Sequence, residues 1–87
     1  MLQRALNCAR VKRRNMIEII CDILELASNG KKASHIAFAA NLNYKRFRIY
    51  ADYLVERGFL EVHEDLRLSK VYKTTERGKK LLELLRG

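Results

Sequence analysis

The sequence predicts a mainly α-helical domain carrying one β-hairpin, in the order α-α-α-β-β-α. Two observations predict it. Apolar residues recur at three- and four-residue spacing between Asn- and Gly-marked ends through the first part of the chain. Two runs rich in β-branched and aromatic residues then lie between Gly58 and Thr75. The 87 residues are 48% hydrophobic and 32% charged, with no Pro and four Gly, which suits a compact domain rather than a disordered tail. A chain of this length buries one modest core. Residues 1–87 are therefore expected to form a single domain, with 1–12 as a basic N-terminal extension of the first helix or an arm.

Each element follows from local signals. Met16, Ile19, Ile20, Ile23, Leu24 and Ala27 give one apolar face to a helix from about Val11 to Ser28, ended by Asn29 and Gly30. A second helix, roughly Ala33 to Ala40, buries Ile36, Ala37 and Ala40, with Lys31, Lys32, Ser34 and His35 at its start. Asn41, Leu42 and Asn43 form a tight turn in which Leu42 points inward and Asn43 caps the next helix. That third helix, Tyr44 to Arg57, buries Phe47, Ala51, Leu54 and Val55 and stops at Gly58. Phe59 to His63 and Lys70 to Thr74 form a hairpin across the polar stretch Glu64 to Ser69. Thr75 caps a final helix, Glu76 complements its dipole, and Leu81, Leu82, Leu84 and Leu85 supply apolar surface. Two helices joined by a three-residue turn and followed by a hairpin describe a winged helix-turn-helix.

Formal net charge is +8, so the chain attracts polyanions. The charge is segmental. Arg4, Arg10, Lys12, Arg13 and Arg14 precede Asn15 without an acid, and no acid occurs between Ala27 and Ala51, where Lys31, Lys32, Lys45, Arg46 and Arg48 lie. A helix about 10–12 Å across fits the major groove of B-DNA, and residues early in a recognition helix reach base edges. Asn43, Tyr44, Lys45, Arg46, Arg48 and Ile49 are the candidate reading residues. Arg46 and Arg48 suit guanine or phosphate, Ile49 a thymine methyl, and Asn43 brings its neighbouring amides toward phosphate. Tyr44 is expected to pack its ring at the turn and let only its hydroxyl reach phosphate. Lys31, Lys32, Ser34 and His35 are candidates for a phosphate clamp. Arg67 and Lys70 on the wing are further phosphate candidates if Glu64 and Asp65 turn outward; the alternative is a purely structural wing.

Leu42-Asn43-Tyr44-Lys45-Arg46-Phe47 and Tyr72-Lys73-Thr74-Thr75-Glu76-Arg77-Gly78 resemble the archaeal ArnR-like winged-helix family, which includes small DNA-binding proteins of Sulfolobus type. The resemblance spans about residues 13 to 83. It implies that the first stretch opens the recognition helix, that the second joins wing to last helix, and that the protein binds DNA as a dimer. Thr74 stands where the family usually has an aliphatic residue, and some relatives continue beyond the counterpart of Leu85 into a dimerising coiled coil.

No Gly-rich phosphate loop, metal-ligand pair or nucleophile constellation points to an enzyme, and no cofactor or small-molecule ligand is expected. Cys8, Cys21, His35 and His63 lack zinc-site spacing. No run approaches the roughly 20 apolar residues of a membrane span, and no leader is evident, so a cytoplasmic, nucleoid-associated protein is expected. Candidate dimer surfaces are the Leu2 and Leu6 stripe and the Leu81, Leu82, Leu84 and Leu85 cluster. A transcriptional regulator, an architectural DNA-binding protein and a protein-interaction module are the functions in competition.

Overall fold

The computed structural model describes residues 15–87. Within them the order is α1 (Met16–Leu26), β1 (Lys31–Lys32), α2 (Ala33–Ala39), α3 (Tyr44–Glu56), β2 (Leu60–Glu64), β3 (Lys70–Thr74) and α4 (Glu76–Arg86). The expected N-terminal stripe of Leu2 and Leu6, the basic run to Arg14, Cys8 and the expected helix start at Val11 lie outside the described residues.

The helices bury the faces that their periodicity assigns. Ile19, Ile20, Ile23 and Leu24 of α1, Ile36 and Ala37 of α2, and Phe47, Ala51 and Leu54 of α3 form one core with Leu60 and Tyr72 of the sheet. Phe47 and Tyr72 meet edge to face at 5.4 Å between centroids, a favoured geometry in which a positive ring edge meets a negative face. Met16, expected on the buried face, is exposed. It occupies the first helical turn, directly after the Asn15 cap, and the core begins at Ile19.

The hairpin is one strand short of what forms. Gly30 adopts φ +89°, a backbone conformation open to glycine, and the chain leaving it pairs antiparallel with β3, Lys31 opposite Tyr72 and Lys32 opposite Val71. Lys31 and Lys32, expected at the start of the second helix, therefore form a short strand. The sheet order is β1-β3-β2, so β3 is central, flanked by β2 along its length and by β1 at Val71 and Tyr72.

Thr74 explains its own departure from an aliphatic residue. At the end of α1 the Ser28 amide donates to the Glu25 carbonyl, which removes the usual donor from the Leu24 carbonyl. The buried Thr74 hydroxyl replaces it, donating to Leu24 O at 2.6 Å, while the Thr74 amide donates to Ala27 O at 3.0 Å. An orphan carbonyl at a helix end is thus satisfied by the strand that packs on it.

The Thr75 hydroxyl accepts from the Gly78 amide at 3.0 Å and donates to the Gly58 carbonyl at 2.7 Å, tying the start of α4 to the end of α3. Gly78 is required by close approach: a Cβ there would lie 2.1 Å from the Phe59 carbonyl oxygen and 2.7 Å from Thr74 Cγ2. Leu81, Leu82 and Leu85 pack against the core, and Arg86 pairs with Glu25 across to α1. Among the described residues no helix is long and apolar enough to cross a membrane.

Candidate nucleic-acid interface

The turn before α3 is built as its residues dictate. Asn41 takes the left-handed conformation at φ 61°, which Asn tolerates better than most residues. Leu42 packs against the core, and Asn43 Oδ1 accepts from the Arg46 amide at 2.8 Å. The first turn of α3 contains no acid, so its positive dipole end and the cations Lys45 and Arg46 face the same exterior. Phe47, Ala51 and Leu54 hold the opposite side of the helix in the core, which fixes the outward direction of Lys45, Arg46 and Ile49. All three are exposed.

The Tyr44 ring packs at the turn, as one part of the expectation has it. It lies obliquely on Phe47 at 6.2 Å, and about half of the residue's surface remains open. Arg48 leans over that ring at 6.0 Å and lies 3.7 Å from Asp52. The guanidinium is held yet more firmly charged than an ordinary Arg, chiefly by the Tyr44 phenol and then by Asp52. Beneath it, burial pushes the Tyr72 hydroxyl up, with Arg48 opposing. Arg48 thus has Tyr44 and Asp52 as neighbours, although its Nε makes no hydrogen bond among the described residues, whereas Lys45 and Arg46 make no ion pair among them. Arg57 and Arg77, on another part of the surface, lie over the Tyr53 and Phe59 rings at 4.5 and 5.2 Å.

The expected phosphate clamp is divided. A shallow depression of about 270 Å³ is lined by Lys32 and Ser34 at the start of α2, Tyr44 at the start of α3, and Leu68, Ser69 and Lys70 of the wing. Lys31 and His35 instead line a second hollow with Leu26, Ile36, Ala39 and the largely exposed Phe38. The division follows from geometry: neighbouring residues of a strand point to opposite faces, and neighbours on a helix diverge by about 100°. The depression thus unites parts of three predicted sites, which the two-residue strand β1 clamps together. Ser69 and Phe38 were not among the candidates. Ser69 had no sequence signal, and Phe38 had one, since it falls off the Ile36, Ala37 and Ala40 face.

Of the two wing acids expected to turn outward, Glu64 is exposed and Asp65 instead turns into its own loop. Asp65 Oδ1 accepts from the Arg67 amide at 2.8 Å and the Ser69 amide at 2.9 Å, and these bonds, Ser69 first, hold its carboxyl below the usual carboxylate range. Its charge is spent on shaping the loop. Glu64 stands directly opposite Lys70 and Glu61 opposite Lys73 in the β2–β3 register, an arrangement that offsets acid with base along the wing. Arg67 is exposed at the tip and Lys70 is half-buried.

Residues 13–87 match the winged helix-turn-helix family profile. The chain belongs to the winged helix-turn-helix family. MJ0287 of Methanocaldococcus jannaschii, an uncharacterized protein, is 32% identical over 80 residues, covering 91% of this chain and 77% of its own length. The crystal structure of Sso10a-2, described as a DNA-binding protein from Sulfolobus solfataricus, superposes with a TM-score of 0.79 at 30% identity, covering 84% of this chain and 76% of that one. The transcriptional regulator BldR, also from Sulfolobus solfataricus, shares the fold with a TM-score of 0.76 at 16% identity, covering 97% of this chain and 72% of its own. The archaeal winged-helix resemblance seen in the motifs around Asn43 and Thr75 is thus met by archaeal relatives.

Proposed function

We propose that this winged helix-turn-helix chain is a double-stranded DNA-binding transcriptional regulator that lays the outward face of α3 in the major groove. The observation that carries this reading is the depression that joins the α2 start, the α3 start and the wing, with Lys32 and Lys70 on its walls and Tyr44 at the head of the acid-free turn. Three elements distant in sequence present cations and hydroxyls on one side, as a phosphate backbone beside an inserted helix requires. Lys45, Arg46 and Ile49 reach base edges, Arg48 is positioned by Tyr44 and Asp52, and Asn43 sets the start of the helix. Lys32, Ser34, Arg67 and Lys70 meet phosphates, with Lys31 and His35 on the flank. The protein works as a homodimer in the cytoplasm, two copies of α3 entering successive major grooves about 34 Å apart. Of the C-terminal leucines, Leu84 stands exposed on α4 and serves that contact. Leu81, Leu82 and Leu85 are engaged within the chain, and Leu2 and Leu6 lie outside the described residues.

One observation favours a second reading, an architectural DNA-binding protein. Arg48, suited by type to guanine, has Asp52 as an ion-pair neighbour at 3.7 Å, while Lys45 and Arg46 suit phosphate as well as bases. A salt titration on a random duplex and on one selected from a random pool tests both. A regulator gives affinity that falls steeply with salt and a preference for the selected duplex of at least about 10³-fold. A flat preference supports the architectural reading. Affinity indifferent to salt overturns DNA binding altogether.

A further inference from the structure

The wing tip carries two residues that folding does not ask for. The turn from Asp65 to Ser69 is closed by the Asp65 amide donating to Ser69 O and the Leu68 amide donating to Asp65 O, both at 2.9 Å, and by the two bonds to the Asp65 carboxylate. On this braced loop Leu66 has its whole surface open, at 102% relative exposure, and Leu68 has 75%. Leu68 also sits at φ 63°, a conformation in which Gly and Asn are favoured and a branched aliphatic residue is penalised. A loop shaped by stability alone would carry a polar residue at 66 and Asn or Gly at 68. Arg67 lies between the two leucines, and Leu68 with Lys70 borders the depression headed by Tyr44.

We propose that Leu66 and Leu68 form an apolar wedge that enters the minor groove beside the α3 site, parts a base step and kinks the duplex. The proposal rests on the DNA-binding reading. With α3 in the major groove, the wing tip, whose Leu68 borders the depression beside Tyr44, meets the adjacent minor groove. The chemistry fits that groove: apolar side chains contact sugar walls and the faces of unstacked bases, and Arg67 meets the negative potential between the phosphate rows. Wedges of this kind bend DNA by about 20–90° toward the major groove. The braced turn supplies the stiffness, because a loop that yields cannot separate stacked bases.

The test uses the full chain and a duplex of about 25 base pairs with one flexible TA step, labelled at its ends for energy transfer and with 2-aminopurine at the step. The parent protein should shorten the end-to-end distance and raise 2-aminopurine fluorescence severalfold. Leu66→Ser combined with Leu68→Asn should bind the same duplex within about tenfold but leave it straight and stacked, since the lost contacts are offset by the avoided deformation. Because Asn suits the φ at 68, the variant should unfold at no lower temperature than the parent, which separates loss of the wedge from loss of the wing. A parent that binds without bending or unstacking overturns the wedge alone. A variant that bends as the parent does overturns it too, and if that variant also changes from dimer to monomer the leucines serve contact between copies. No binding by the parent overturns the DNA-binding reading itself.

Discussion

Asparagine caps both α1 and α3, and it does so with the same bond: Asn15 Oδ1 accepts from the Glu18 amide and Asn43 Oδ1 from the Arg46 amide, each at 2.8 Å. The two first turns then diverge. In α1 the residue three after the cap is Glu18, an acid at the positive end of the helix. In α3 the same place holds Arg46, beside Lys45, with no acid in the turn. A favourable charge at a helix start contributes about 0.3–1 kcal/mol and an unfavourable one costs a similar amount. The first helix is arranged for its own stability. The third gives some up, and what it gains is a cationic helix start pointing outward beside Lys32 and Lys70, suited to an anion that arrives from outside.

Charge reversal on α3 should have the largest effect. Lys45→Glu with Arg46→Glu is expected to weaken duplex binding by at least about 100-fold and to lower the salt slope by about two, while the midpoint of thermal unfolding holds or rises. The opposite signs are the point, since a merely structural role would move both downward. The caps come next. Asn15→Ala and Asn43→Ala should each cost about 1 kcal/mol in denaturant unfolding, but only Asn43→Ala should also reduce affinity in a filter or anisotropy assay. Glu18→Gln should cost a few tenths of a kcal/mol and leave affinity within about twofold, because it removes one distant charge.

The smallest effect concerns a third side-chain oxygen in the same kind of work. Asp65 has its folded-state pKa below its unfolded value, so its contribution to the wing is fully present at neutral pH. It is lost as pH falls below the ordinary carboxylate range and through the lowered folded value. Hydrogen-exchange protection of the Arg67 and Ser69 amides, relative to the intrinsic rate at each pH, should fall over that acid window, and Asp65→Ala should show the lowered protection already at neutral pH.

These contrasts also show where a sequence speaks. The inward faces of α1, α2 and α3, the Asn43 cap and the stop at Gly58 were legible because each is written within a few residues: periodicity, a short polar acceptor, a residue free of Cβ. β1 was not. Lys31 and Lys32 carry no local strand signal, and their pairing with Tyr72 and Val71 spans about half the chain. The same distance hid the split of the expected clamp, since only the sheet shows that Lys32 goes with Tyr44 and Lys70 while Lys31 goes with Phe38. Asp65 misled for a different reason. As a charge it reads as repulsion toward phosphate, but two loop amides within hydrogen-bond reach turn it inward. In Thr74 a polar residue in an apolar place found its cause in a carbonyl that α1 leaves open.

The most direct test of the claim that α3 and its neighbours form the nucleic-acid face is an amide chemical-shift titration of the labelled protein with a short duplex. The account predicts the largest changes at residues 43–49, then at 31–35 and 66–70, with the equally capped start of α1 at 15–18 left unmoved. Changes centred on α1, or on the Phe38 hollow with 43–49 silent, would contradict it.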